Sequence, residues 1–210
     1  MPEYITSRKN ELIVHMKRLG ADRSYRSRCR EFLCDGEKLL EEAQKSGAAV
    51  TAVLTCRDAC PPLPAGVRGA VVPRDLLESV SPMKNPQDIL FSCTMPERAR
   101  IWRPGGSFII LEDVQDPGNV GTVLRTAGAF GMDGVFLTGA CADLYNPKTV
   151  RATMGAVFRV AVAETDLDGL RALQAEGLRI YGAALRAGCR DVRALDLHGT
   201  AVAIGSEGHG

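Results

Sequence analysis

Asp113, Asp116, Asn119 and Arg125 fall within one short stretch, Asp113-Val-Gln-Asp116-Pro117-Gly118-Asn119-Val-Gly121-Thr-Val-Leu-Arg125-Thr-Ala. Asp116-Pro117 with Gly118 makes a rigid turn, Asn119 supplies an amide that both donates and accepts, and Gly121 lets another backbone come close. Arg125 lies four residues past Gly121, and its planar fork of donors can return toward Asn119. A set of this kind suits an anionic, hydrogen-bonding substrate such as a ribose-phosphate. The apolar run Phe108–Leu111 before it reads as a buried strand, and Val120, Val123, Leu124 and Ala127 after it keep a helical spacing. The stretch therefore stands on a strand-to-helix turn, the edge of an α/β sheet where ligands bind.

Two further clusters carry chemistry. In Asn146-Pro147-Lys148-Thr149-Val150-Arg151-Ala-Thr153-Met154-Gly155-Ala156-Val-Phe158, Pro147 is placed to start a helix, and Lys148 and Arg151 share a face. Thr153 to Gly155 thins the surface so that a ligand or another chain can approach. In Ile204-Gly205-Ser206-Glu207-Gly208-His209-Gly210, a glycine-rich strand end offers backbone amides and Glu207 a carboxylate. A dinucleotide fold requires Gly-x-Gly-x-x-Gly after its strand and a P-loop requires Gly-Lys-Ser or Gly-Lys-Thr, and neither is present. Cys56 and Cys60 have no second pair beside them to complete a tetrahedral zinc set, so no metal is expected.

Strands alternating with helices position these clusters. The spacing predicts a helix from an N-cap at Ser7 to Leu19, a second from Asp22 to Arg30, and a strand at Phe32–Cys34. A helix at Glu37–Ser46, strands at Val50–Thr55 and Ala70–Val72, a helix at Arg74–Val80 and a strand at Ile89–Cys93 follow. This is a small α/β/α domain over residues 1–95. Residues 96–106, rich in proline, glycine and charge, read as a linker. Over 107–210, strands are expected at Ser107–Leu111, Val135–Thr138, Phe158–Val162, Arg179–Ala184 and Thr200–Gly205, with helices at Asn119–Phe130, Pro147–Met154 and Leu167–Gly177, giving a mostly parallel sheet.

The 26 basic and 25 acidic residues of the 210 nearly cancel, so net charge points to no partner. Its distribution is uneven: Met1–Cys34 holds eight basic residues (Arg8, Lys9, Lys17, Arg18, Arg23, Arg26, Arg28, Arg30) against four acidic ones, the pattern of either an electrostatic footprint for nucleic acid or a solvated helix face. Seven scattered cysteines, and no secretory or membrane-length apolar run, fit a cytoplasmic protein with reduced thiols and no membrane contact.

Together, Asp-x-x-Asp-Pro-x-Asn-x-Gly-x-x-x-Arg-Thr-Ala, Val-Arg-Ala-Thr-Met-Gly-Ala-x-Phe and Ile-Gly-Ser-Glu-Gly-x-Gly resemble the three ordered motifs of the SpoU (TrmH-type) branch of the SPOUT RNA methyltransferases. Ile5-Thr6-Ser7-Arg8-Lys9-Asn10, Phe32-Leu33-Cys34-Asp35-Gly36 and Glu41-Glu42-Ala43 are similar to the family's N-terminal substrate-binding domain. The resemblance implies S-adenosylmethionine-dependent methylation of a ribose 2′-hydroxyl in ribosomal or transfer RNA, with ribosomal RNA preferred, by a homodimer with a trefoil-knot catalytic domain. It implies Asn119, Arg125 and Glu207 as catalytic residues, and cofactor contacts from Thr138, Gly139, Gly182, Ala183, Gly205, Ser206 and Gly208. RNA contacts are expected from Arg151 and the eight basic residues of Met1–Cys34. Thr153 stands where the second motif usually has serine, and Pro86-Gln87-Asp88 replaces the usual Pro-Gln-Gly. The family's Ile-Pro and Ser-Leu-Asn segments after the third motif are absent from the 210 residues, so an incomplete knot, with weak or no cofactor binding and activity, is expected.

An arginine stays protonated, with a pKa above ~12, and is a poor base at neutral pH. Arg125 is therefore expected to clamp the neighbouring phosphate and stabilise the developing alkoxide, while phosphate or water accepts the proton. The alternatives are a non-catalytic RNA-binding module of the same fold, separable by cofactor titration, and an unrelated α/β nucleotide enzyme.

Overall fold

The computed structural model describes residues 3–97, 100–184 and 187–205. These form two compact units, one of residues 1–96 with 143–158, the other of 97–142 with 159–210.

The first unit is built on a five-stranded mixed sheet. Its strands are β1 (Glu3–Tyr4), β2 (Glu31–Asp35), β3 (Val50–Thr55), β4 (Arg68–Val71) and β5 (Ile89–Thr94), in the order β1-β4-β3-β5-β2. β5 runs antiparallel to both neighbours, β2 and β3, and the remaining pairs are parallel. Side chains alternate across each strand. Leu33, Leu54 and Leu90 join the cluster formed by Leu12, Ile13, Met16 and Leu19 of α1 (Glu11–Ala21) and Leu76, Leu77 and Val80 of α4 (Arg74–Val80). Phe32, one residue out of step with Leu33, meets Tyr145 and Phe158, with ring centroids 4.7 Å and 6.1 Å away. α2 (Arg23–Cys29), α3 (Glu37–Lys45) and α6 (Pro147–Ala152) complete the unit.

Three local outcomes differ from the sequence reading. Asn10, not Ser7, caps α1: its side chain accepts from Leu12 N–H at 2.9 Å, while Ser7 Oγ accepts from Lys9 N–H in the preceding turn. Residues 143–158, expected with the second half, cluster with the first unit, because the ring contacts to Phe32 and a buried ion pair lie there. The strand expected at Phe158–Val162 is a 3-10 turn at Ala156–Phe158 followed by β8 (Val162–Glu164), since Met154 and Gly155 both take positive φ and turn the chain first.

Arg26 forms that ion pair. Its side chain donates to Leu19 O at 2.7 Å and to Asp143 Oδ2 at 2.6 Å, and the residue is 3% exposed. Replacing Arg26 by alanine strands Asp143 without its counter-charge and is expected to cost the first unit about 3–5 kcal/mol. Urea unfolding followed by circular dichroism measures the loss. Trp102, the single tryptophan, belongs to the second unit, and its fluorescence should keep its midpoint.

Among the described residues, the second unit holds five strands, all parallel, in the order β8-β7-β6-β10-β9. β6 is Phe108–Glu112, β7 Gly134–Thr138, β9 Arg179–Gly182 and β10 Thr200–Ile204. β10, the last described strand, is inserted between β6 and β9. Phe108, Ile110, Phe136 and Ala201 pack with Leu170 of α7 (Leu167–Ala175) and with Leu178. Val120, Leu124 and Ala127 of α5 (Pro117–Ala129) are buried, as their spacing predicts.

Candidate active site

Sheet order places the site. From β6 the chain steps outward to β7 and β8 on one side, whereas β10 and β9 occupy the other, so the strand order reverses between β6 and β10. Ligands of open parallel sheets bind outside the carboxyl ends of the strands at such a switch point. The register sets Glu112 beside Thr138, Leu111 beside Ile204, and Ala203 beside Gly182. The turn after β6 and Gly139, Ala183 and Gly205 therefore emerge at one edge, as the strand-end motifs predict. Ser206, Glu207 and Gly208 lie outside the described residues.

The turn after β6 is tightly specified. Asp116 caps α5 by accepting from Asn119 N–H at 2.8 Å, and Pro117, with no N–H to satisfy, opens the helix. This cap occupies the Asn119 backbone amide and leaves its exposed carboxamide without a partner among the described residues. Asp113 has φ 53°, a left-handed conformation that aspartate tolerates better than most side chains. It uses that bend to clamp the loop after β7: its N–H donates to Thr138 O at 3.2 Å, and its Oδ1 accepts from Ala140 N–H at 2.6 Å. Gly139, with φ 65°, lies so close beneath this carboxylate that an added Cβ would stand 2.3 Å from Asp113 Oδ1. Only glycine meets both demands.

Cys141 continues the clamp, its thiol donating to Leu111 O at 3.3 Å and Thr138 O at 3.2 Å. Burial raises the Cys141 pKa, which keeps the sulfur a donor rather than a nucleophile. Thr138, read from the resemblance as a cofactor contact, is 4% exposed, and its carbonyl already accepts from Asp113. Gly182 and Ala183 are exposed, and a Cβ added at Gly182 meets nothing within 4 Å. Ala183 N–H is taken by Ala203 O at 2.9 Å.

Arg125 stands exposed on α5 with no partner among the described residues. Its fork does not return to Asn119: the two are six residues apart on the helix, a rise of about 9 Å and a turn of roughly 120° about the axis. No hydrogen bond joins them among the described residues. A substrate that touches both must extend along α5.

The basic residues assigned to RNA separate into groups. Arg26 is buried and structural, which removes it as a phosphate contact. Arg8 pairs with Asp75 at 3.6 Å, Arg30 donates to Pro96 O at 2.8 Å, and Arg151 donates to Asn85 O at 3.3 Å. Lys9, Lys17, Arg18, Arg23 and Arg28 are exposed. Sequence reasoning missed the Asp113 clamp and Tyr25, whose ring lies under two of these arginines. The aspartate that opens the motif was the available signal for the first. The second had only a tyrosine among arginines.

Comparison with known proteins agrees with this geometry. Residues 106–210 match the model of the SpoU rRNA Methylase family, and residues 10–90 match the MRM3-like substrate binding domain. The chain is 34% identical over 209 residues to the 23S rRNA (guanosine(2553)-2′-O)-methyltransferase RlmP of Bacillus subtilis, covering 98% of this chain and 83% of that protein. It is 30% identical to the human mitochondrial rRNA methyltransferase 3, over 67% of this chain and 36% of that protein. An AdoMet-bound rRNA methyltransferase from Sinorhizobium meliloti superposes with a TM-score of 0.84 at 26% identity, over 99% of this chain and 82% of that one. The AdoMet complex of the SpoU methyltransferase AviRb from Streptomyces viridochromogenes gives 0.82 at 25% identity, over 96% and 83%.

An α/β sheet with this strand order and this carboxyl edge is that of the SPOUT methyltransferases. Within that class, the chain belongs to the SpoU rRNA methylase family.

Proposed function

We propose that this protein transfers a methyl group from S-adenosylmethionine to a ribose 2′-hydroxyl of ribosomal RNA. The observation that carries the reading is the carboxyl edge itself, where the turn bearing Asn119, the clamped Gly139 loop and the ends of β9 and β10 converge at the switch point. The edge suits the cofactor, because Gly139 bends the chain at positive φ just after β7 and an added Cβ at Gly182 meets open space. Gly139, Gly182, Ala183 and Gly205, with Thr138 behind them and Ser206 and Gly208 beyond the described residues, would hold it. When bound, S-adenosylmethionine supplies a methyl group already activated by its sulfonium.

What remains for the protein is orientation and charge. The Asn119 carboxamide, without a partner among the described residues, is assigned to fix the ribose hydroxyl, with Glu207 assigned to the same task. Arg125, further along α5, holds the neighbouring phosphate and stabilises the oxyanion that develops as the 2′-oxygen loses its proton. The proton passes from that oxygen to a phosphate oxygen or to water, because a guanidinium has no site to accept it.

Residues 1–95 are assigned to RNA recognition, 96–106 to a linker and 107–210 to methyl transfer, an assignment supported by the separate family models for the two parts. RNA contacts are assigned to the exposed basic residues of Met1–Cys34 and to Arg151. The working form is inferred to be a homodimer through the second unit, where Phe130, 77% exposed at the end of α5, offers apolar surface. The compartment is inferred to be the cytoplasm, in keeping with the seven free cysteines; no helix of the described residues is long and apolar enough to cross a membrane.

The test is incubation with methyl-labelled S-adenosylmethionine and unmodified ribosomal RNA, followed by nucleoside mass spectrometry. One 2′-O-methylated nucleotide is the expected product. A label on a base nitrogen, or RNA binding without any transfer, overturns the reading.

A further inference from the structure

α1 and α2 meet at a corner where Tyr25 collects two guanidiniums. The Arg18 Cζ lies 3.8 Å from the centroid of the Tyr25 ring and the Arg28 Cζ 5.3 Å from it. Stacking occupies the flat face of a guanidinium and leaves its in-plane N–H donors free. Five arginines of the first unit are paired with carboxylates: Arg8 with Asp75, Arg26 with Asp143, Arg57 with Glu37, Arg68 with Glu3, and Arg74 with Glu78 and Asp88. Among the described residues, neither Arg18 nor Arg28 has a carboxylate partner.

The ring beneath them is fixed from below. Tyr25 Oη is 2.9 Å from His15 Nδ1, and the two rings meet edge to face at 5.6 Å. His15 Nε2 reaches Glu31 at 3.3 Å, and Glu31 also accepts from the Thr51 hydroxyl, which bonds Ser92 inside the sheet. The hydrogen bond from His15 holds the Glu31 carboxyl below its ordinary range, so the charge that anchors this chain stays on Glu31. Asp22, four residues from Arg18, is turned to cap α2 by accepting from Tyr25 N–H at 3.0 Å. Two positive forks are thus held in place, clear of carboxylates, on a ring tied to the core. Positioning them before the partner arrives removes part of the ordering entropy of binding.

We propose that Arg18, Tyr25 and Arg28 form a preorganised phosphate clamp that grips the RNA backbone. The proposal rests on the RNA-methylation reading and deepens it by picking, from the many cations of the first unit, the pair that does the gripping. Recognition here is of backbone rather than of base, since guanidiniums held over the tyrosine ring offer N–H donors suited to phosphate oxygens.

The test uses the full chain with a fluorescein-labelled 20-nucleotide oligouridylate, titrated across a salt series. Arg18→Gln with Arg28→Gln is expected to weaken binding at least tenfold and to reduce the salt slope by about 1.4, or roughly 0.7 for each of two single-strand phosphates left without a cation. Tyr25→Leu keeps both charges and loses the platform; weaker binding with an unchanged slope supports the clamp. The exposed but acid-paired Arg57→Gln should leave both quantities in place. Unchanged affinity and slope in the double variant, with its circular dichroism intact, overturns the proposal, as does tighter binding of a decaglutamate peptide than of oligouridylate to the wild type. The two readings fail separately. If the wild type methylates ribosomal RNA and the double variant does so with unaltered KM, the clamp falls and the activity stands; if no methylation occurs yet oligouridylate binding drops as described, the reverse holds.

Discussion

Arg125→Lys is expected to lower kcat by about 100- to 1000-fold, corresponding to loss of ~2.7–4 kcal/mol of transition-state stabilisation by one well-placed donor. Lysine keeps the charge, so simple electrostatic attraction for RNA survives and KM moves little. What disappears is the two-pronged grip on a phosphate and the fixed direction of the donors. Arg125 faces solvent and makes no contact among the described residues that would be broken, so the variant should fold normally. Single-turnover methylation and S-adenosylmethionine calorimetry on the same sample separate the outcomes. Near-full turnover in the lysine variant would rule out the clamp and leave Arg125 as a general positive charge.

The second large effect is expected at Gly139. Alanine there must adopt a left-handed backbone, at about 1–2 kcal/mol, and must also displace the Asp113 carboxylate that its Cβ would meet at 2.3 Å. Moving the carboxylate breaks the bond from Ala140 N–H, so the loop after β7 loses the hydrogen bond that shapes it. Cofactor affinity should fall at least tenfold, the equivalent of ~1.4 kcal/mol. Asp113→Gly removes the obstacle while tolerating positive φ at 113. The double variant should therefore be less impaired than the two single losses added together. Strict additivity in calorimetry would show that the two residues act apart and that the clamp does not shape the binding loop.

Much of this arrangement was legible because it depends on local pattern. Short apolar runs marked β2, β3, β5, β6 and β7, and the glycines and prolines after β6, β7 and β10 marked the turns at the carboxyl edge. The direction of β5 was not legible, since periodicity fixes which face a residue takes and says nothing about which way the neighbouring strand runs. Arg26 reads as a solvated cation on a basic helix, and its burial depends on Asp143, 117 positions away. The Asp113 clamp depends on a positive φ and on an amide 27 positions on. Phe158–Val162 looks like a strand by composition, but the positive φ values at Met154 and Gly155 reset where extension begins. Even the misplaced N-cap has a plain cause: Ser7 and Asn10 both suit the task, and Asn10 lies adjacent to the first helical residue.

The late position of β10 in the chain, set against its central place in the sheet, also governs how the molecule is made. While Thr200–Ile204 is still inside the ribosome, β6 and β9 each present an unpaired flank, the kind of surface that invites mispairing and chaperone attention. The five strands of the first unit are all synthesised before the second sheet begins, and only its 143–158 segment follows later. Closing the second sheet joins segments that are distant in sequence, a slow class of folding step. A nascent copy can therefore display its arginine-rich corner well before β10 closes the sheet whose edge is assigned to the methyl donor.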